Sequence, residues 1–234
     1  MKKIIAIALA TLSMAAFSAG GGDYKPNDPA NININDKMAL QKGFALYMNY
    51  CMGCHGLQYQ RYKRTAEDLG ISEEVLKSNL IFDGSKPGDL IKTAMPEKYA
   101  ENWFGSAPPD LSLIARFRGT DWLYNYLRAF YKDPERPYGV NNTVFKDVGM
   151  PHVLEPLQGV QFLTEEGDLT LISEGSMSPE EYDNAIRDLV TFLDYVGEPV
   201  KAKRQSIGIY VLLFILVFFI LAYFLKKEYW KDIH

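Results

Sequence analysis

Histidine and cysteine are both scarce in this chain, three of the first and two of the second in 234 residues. Two cysteines cannot build the multi-bridge framework of a small secreted scaffold, and without a second Cys/His pair they fall short of the four ligands of a structural zinc site. His55, His152 and His234 alone offer little material for acid/base chemistry, and there is no Ser/His/Asp set, Walker loop or Rossmann glycine pattern. A positive excess is also lacking: 25 basic residues face 29 acidic ones with no long single-sign run, which argues against binding nucleic acid. Neither an internal repeat nor a low-complexity segment interrupts the chain. What is there is 47% apolar and 23% charged residues, the balance of a packed globular domain.

The apolar residues are concentrated at the two ends. Met1-Lys2-Lys3, the apolar run Ile4 to Leu12 and the small residues Ser18-Ala19-Gly20 form the pattern of a secretory signal peptide, which predicts removal of residues 1–19 by cleavage near Ala19. Ala16-Phe17-Ser18 offers a second cleavage site. From Ile207 to Leu225 no residue is charged, and at about 1.5 Å per residue this stretch spans roughly 28 Å, close to the hydrocarbon thickness of a bilayer. One transmembrane helix is expected over 207–225, since a buried core helix would not be apolar on every face at that length. Lys201, Lys203 and Arg204 precede it and Lys226, Lys227 and Lys231 follow it, so flanking charge does not orient it. The signal does: residues 20–206 are expected outside the cytoplasmic membrane, in the periplasm, and the tail 226–234 inside. The exported stretch keeps 20 basic and 27 acidic residues, about −7, which serves solubility or attracts a basic protein partner.

The chemistry points to Cys51-Met52-Gly53-Cys54-His55. Cys-x-x-Cys-His is the attachment pattern of a c-type haem: two thiols add to the two vinyl groups and the adjacent imidazole falls under the iron. A thioredoxin-like dithiol would need a strand-to-helix setting, whereas Asp36 to Tyr50 reads as helix with Leu40, Phe44 and Tyr47 on one face. A disulfide across so short a loop would stabilise little. One covalently bound haem c is therefore expected, with His55 as its proximal ligand. Export agrees with this, because bacteria attach haem c outside the cytoplasmic membrane.

The opposite axial position decides between electron transfer and an open, gas-binding site. Met1 and Met14 leave with the signal, and Met38, Met48 and Met52 lie too near the attachment site to reach the other haem face. Met95, Met150, Met177 and His152 remain. Gly149-Met150-Pro151 lies in a stretch without helical or strand periodicity, placed between the haem motif and the last helix as in mono-haem c-type cytochromes. Met150 is favoured, with Met95-Pro96, His152 and an open site as alternatives. Ser178-Pro179-Glu180-Glu181 is a capping box that opens the last helix, in which Tyr182, Ala185, Ile186, Leu189, Leu193 and Val196 share one face; Gly197 and Pro199 end it.

Further elements complete a mainly α, c-type cytochrome fold with insertions. An acidic helical stretch covers Ser72 to Leu80, a central helix runs from Thr120 or Asp121 to about Tyr131, and a small hairpin is expected between Gly159 and Ser173 around Glu166-Gly167.

With Cys51 to His55, the run Ala107-Pro108-Pro109-Asp110-Leu111-Ser112-Leu113-Ile114-Ala115-Arg116-Phe117-Arg118, Gly149-Met150-Pro151 and a C-terminal membrane helix in this order, the chain resembles the cytochrome c1 family. That family is the haem-bearing subunit of ubiquinol:cytochrome c reductase, the cytochrome bc complex. The resemblance implies an electron-transfer subunit with no bond-making site of its own, which takes one electron from a Rieske iron-sulfur protein and passes it to cytochrome c, packed beside cytochrome b in the bacterial inner membrane. It also implies that Arg118, or else Arg116, binds a haem propionate, and that Trp122 packs near the haem edge. Lack of the second cysteine pair found in some relatives points to a shorter, bacterial form. The competing readings are a tethered cytochrome serving an oxidase or other terminal reductase, and a haem-based sensor with an open sixth site.

Overall fold

The computed structural model describes residues 28–93 and 95–231. The expected signal peptide, 1–19, lies outside the described residues. The chain divides after Gly197 into two units, each taken by itself.

The first unit is organised by its first and last helices. Asp36 caps α1 (Lys37–Tyr50) by accepting from Met38 N and Ala39 N at 2.9 and 3.1 Å, which satisfies two of the free N–H groups at that terminus. The predicted capping box opens α8 (Pro179–Gly197): Glu181 N donates to Ser178 Oγ at 3.3 Å and Ser178 N to Glu181 Oε2 at 2.8 Å. The two helices cross at Gly43, where an added Cβ would lie 2.1 Å from Asp188 O. Phe44 and Phe192 stack over the crossing with centroids 5.1 Å apart, and Tyr47 leans on Phe192 at 5.9 Å. Tyr182, Ile186, Leu189, Leu193 and Val196 are buried as their spacing predicts, while Ala185 is half-buried. From Val190 to Val196 every residue is buried, because α8 also packs on α5 (Ile114–Arg118) and α6 (Thr120–Arg128).

Between the haem motif and Pro108 lies the expected insertion. It contains β1 (Leu57–Arg61), α2 (Tyr62–Leu69), α3 (Glu73–Asn79) capped by Ser72, β2 (Leu90–Ile91) antiparallel to β1, and α4 (Glu97–Phe104). The central helix is shorter than predicted. It stops at Arg128, and β3 (Phe130–Lys132) pairs instead with β4 (Val140–Asn142), Phe130 opposite Asn142. Phe130 is buried either way, so apolar spacing alone could not place the change of direction. After the one-turn α7 (Glu155–Gln158), the expected hairpin forms from β5 (Gly159–Leu163) and β6 (Leu169–Glu174), turning at Gly167 with φ 93°. Among the described residues the unit is mainly α with three two-stranded sheets.

The second unit is α9 (Lys201–Tyr229), a 29-residue helix with no buried residue. It extends past 207–225 on both sides, taking in Lys201, Lys203, Arg204, Lys226 and Lys227. By length and composition it could cross a membrane.

Candidate functional site

The Cys-x-x-Cys-His motif is wound on the turn that ends α1. Cys51 is its C-cap, and Cys51 O accepts from Cys54 N at 3.0 Å and His55 N at 2.8 Å. Cys51 is buried, while Cys54 and His55 are half-buried. Burial pushes the Cys51 thiol up to about 12, reinforced by Cys54, and raises Cys54 as well, so both sulfurs hold their protons at neutral pH. The two thiols are not joined to each other.

A second segment fixes the imidazole. His55 Nδ1 lies 2.7 Å from Pro109 O. A carbonyl only accepts, so Nδ1 carries the proton and Nε2 keeps its lone pair. Burial lowers the His55 pKa, opposed by the Pro109 bond and the Asp110 charge, which favours the neutral, ligating form. Tyr47 of α1 donates to His55 O at 2.5 Å. The Pro-Pro-Asp-Leu-Ser run is held in turn by Asp110, whose carboxylate accepts from Gln58 N at 2.8 Å and Ser112 N at 2.9 Å. Leu111 N donates to Gly56 O at 2.9 Å, and Thr93 Oγ1 donates to Gly53 O at 2.9 Å.

Met150 lies in a loop after β4, packed against a separate cluster of Phe130, Val140 and Val148. The Tyr126 hydroxyl of α6 donates to its Sδ at 3.4 Å. Tyr126 is stacked on Trp122 one helical turn earlier, at 4.8 Å and 11°, and takes the edge of Phe130 at 5.3 Å. It packs both on the main core, which holds Cys51 and Met52, and on a smaller cluster of Phe130, Val140 and Val148 that carries Met150. The Arg118 guanidinium adjoins these rings, with its carbon 4.9 Å from the Trp122 ring centre, 5.1 Å from Phe117 and 5.6 Å from Phe145. Among the described residues Arg118 has no carboxylate partner. Arg116 points elsewhere, its stem against Gly197 at the end of α8.

The alternatives to Met150 are placed differently. Met95 lines a cavity of about 340 Å³ together with Cys54, Gly56, Pro108 and Asp110, on the side of the segment that holds His55. His152 is stacked flat on Phe130 at 4.7 Å and 4°, and burial lowers its pKa to about 4. Two contributors escaped the sequence reading, the Pro109 carbonyl and the Tyr126 hydroxyl. The first has no side-chain signature, and the second belongs to an aromatic residue whose position on a helix signals packing alone. Two thiols at the attachment spacing, an imidazole with Nε2 free, a thioether and an unpaired guanidinium form a donor set that fits a covalently attached haem.

Comparison with known proteins agrees with this chemistry. The family model described as "Cytochrome C1 family" matches residues 30–233. The chain is 51% identical to a cytochrome c1 of Allochromatium vinosum, over all of this chain and 99% of that one. It is 46% identical to a Nitrosomonas europaea protein named ammonia monooxygenase gamma subunit, over 99% of this chain and 100% of that one. A Bradyrhizobium diazoefficiens protein named cytochrome b/c1 is 29% identical over 85% of this chain and 34% of its own length.

Proposed function

Because this chain belongs to the cytochrome c1 family, electron-transfer haem cytochromes of the bc1 complex that carry a covalently attached haem c, we propose a specific division of labour among its residues. Cys51 and Cys54 form the thioether links. His55 Nε2 and Met150 Sδ would hold the haem iron, and Arg118 would pair with a propionate, where a planar guanidinium suits a carboxylate. The haem, when bound, supplies a one-electron ferric/ferrous couple. The protein's part is to hold the imidazole through Pro109, present the thioether from a separate cluster and exclude water with the Trp122, Tyr126 and Phe130 rings.

The observation that carries this reading is the bond from His55 Nδ1 to Pro109 O, 2.7 Å long, which turns Nε2 into the available ligand. Met95 lines a cavity with Pro108 and Asp110, beside the segment that holds His55, whereas Met150 belongs to a separate cluster with Phe130, Val140 and Val148. The finer role follows from the family: one electron enters from a Rieske iron-sulfur protein and leaves to cytochrome c, beside cytochrome b. A relative whose name joins cytochrome b and c1 in a single chain supports that neighbour. The signal-peptide pattern over residues 1–19 supports a haem unit in the periplasm of a bacterial inner membrane, with the helix over 207–225 as its anchor.

Met150→Leu tests the ligand set. The variant should lose thioether ligation, fall in potential and bind carbon monoxide when reduced. An unchanged spectrum, with those changes appearing in Met95→Leu instead, would transfer the role to Met95. In solubilised membranes the protein should migrate with a b-type cytochrome and an iron-sulfur centre. Migration with a terminal oxidase or with monooxygenase subunits would overturn the assignment of partners.

A further inference from the structure

Asp147, three residues before Met150, has φ 61°, in the left-handed region that a residue with a Cβ keeps only where its surroundings hold it. Its amide, carbonyl and carboxylate are each engaged by the hairpin of β3 and β4. Asp147 N donates to Asn141 Oδ1 at 2.9 Å, Arg136 Nη2 donates to Asp147 O at 2.8 Å, and Arg136 Nη1 lies 3.2 Å from Asp147 Oδ1. Both partners are fixed in turn. Asn141 is buried and donates to Asp133 Oδ2 at 2.9 Å, while the turn that carries Arg136 is closed by bonds from Arg136 N to Asp133 O and from Gly139 N to Arg136 O, at 3.1 and 2.9 Å. Asn142 holds the front of the same loop, accepting from Val144 N at 2.9 Å and Phe145 N at 3.1 Å. Beyond Asp147 the chain turns inward, with Val148 buried beside Phe130 and Val140 and Met150 packed against them. The Asp147 side chain is 59% exposed, so its charge pair with Arg136 contributes little by itself. The stronger hold is the charge-assisted bond from the guanidinium to the backbone carbonyl.

We propose that Arg136 is a positioning residue for the axial thioether: with Asn141 it holds Asp147 in the left-handed region, and so sets where the Met150 loop leaves the hairpin and keeps Sδ in place. This rests on Met150 being the ligand. Once released, Asp147 returns to the extended or right-handed regions that suit an L residue, and that single change of φ redirects the three residues that follow. The loop then opens more often, and the thioether leaves with it. Opening of this kind has its own free energy, distinct from that of unfolding the whole unit.

The test uses the full-length, haem-loaded protein in its membrane complex, with imidazole as the probe. Imidazole takes the sixth position of the ferric haem only after the thioether has left, so its apparent affinity, followed by loss of the thioether-to-ferric charge-transfer band, reports the open fraction of the loop. Arg136→Gln removes the charged donor and should raise that affinity roughly tenfold. Asp147→Val, whose branched side chain resists a positive φ, should raise it at least as much. Asp147→Asn keeps the carbonyl and tolerates left-handed backbone, so it should stay within about threefold of wild type. Hydrogen exchange at the Asp147 amide should quicken in Arg136→Gln while the amides of α1 and α8 keep their protection. An affinity unmoved by Arg136→Gln, or raised equally by Asn and Val at 147, would overturn the proposal. Should Asp147→Val fail to assemble haem, the comparison of Arg136→Gln with Asp147→Asn decides. Met150→Leu serves as the control: retention of the charge-transfer band there would remove the ligand assignment itself, a failure distinct from an imidazole affinity that ignores Arg136.

Discussion

His55 Nδ1 donates to Pro109 O across 54 positions of sequence, at 2.7 Å. The bond selects the imidazole tautomer and makes the ring a better donor through Nε2. A backbone carbonyl can serve this purpose only if its segment is held still. That duty falls on the next residue, Asp110, which accepts two backbone N–H groups from opposite sides of the contact.

Asp110→Ala should therefore loosen the imidazole as well as the fold. Losing hydrogen bonds to a charged acceptor costs about 2–3 kcal/mol, and Asn, which keeps one acceptor oxygen, should lose less. Denaturant unfolding of the haem-loaded protein gives the stability, and the ferric spectrum reports the ligand. Wild-type values for both in the Ala variant would disconnect Asp110 from His55.

Gly43→Ala probes the helix crossing. The new methyl would meet Asp188 O at 2.1 Å and Phe192 Cβ at 2.7 Å, a backbone atom and the base of a buried side chain, neither of which can swing away. Overpacking of this kind costs about 1–3 kcal/mol, and rigid backbone on the far side puts this site at the upper end. A variant with an unshifted unfolding midpoint would show that the helices do not meet here.

Burial raises the carboxyl of Asp188 above the ordinary aspartate range, with Asp36 acting in the same sense and Lys42 and Arg187 against it. The folded state then binds more protons than the unfolded chain between the ordinary value and the raised one. Stability accordingly falls as pH rises through that window and stays lowered above it. Asp188→Asn should be the more stable protein at pH 7, with the advantage disappearing once the pH drops below both values. Parallel stability curves for the two proteins from pH 3 to 7 would contradict this.

Electron delivery to a basic acceptor should slow as salt is added, because residues 20–206 carry about −7 and the screening length is roughly 8 Å at physiological ionic strength. The acidic residues differ in what they can contribute. Glu67, Asp68 and Glu73 have cations at 3.9, 2.8 and 2.6 Å, whereas Glu165, Glu166 and Asp168 at the tip of the β5/β6 hairpin are exposed and, among the described residues, without an ion pair. Glu165→Gln with Glu166→Gln should lower the second-order rate at low salt and flatten its salt dependence, leaving the haem spectrum intact. A stopped-flow rate indifferent to salt would indicate docking through apolar contacts.

The elements that could be read from sequence are those whose side chains repeat at helical spacing beside a capping residue. Asp36 and Ser178 placed the starts of α1 and α8, and Leu40, Phe44 and Tyr47 placed the buried face of α1. Strands β1 to β4, two to five residues each, are too short to show an alternation. The site divides in the same way. Cysteine spacing and a lone methionine loop are local patterns. The Pro109 carbonyl and the Tyr126 hydroxyl acquire their meaning only from chain segments brought together by folding.

The crossing of α1 and α8 also joins distant parts of the chain. α1 is complete by Tyr50 and the two thiols follow at once, yet the helix that covers it is the last before α9. The face bearing Leu40, Phe44 and Tyr47 finds its partner only when the chain near Gly197 is in place, and Cys51, 8% exposed, packs into the same core. The contacts that hold the centre of this unit therefore join its two ends in sequence, a non-local arrangement whose loop-closure entropy is met before its burial is gained.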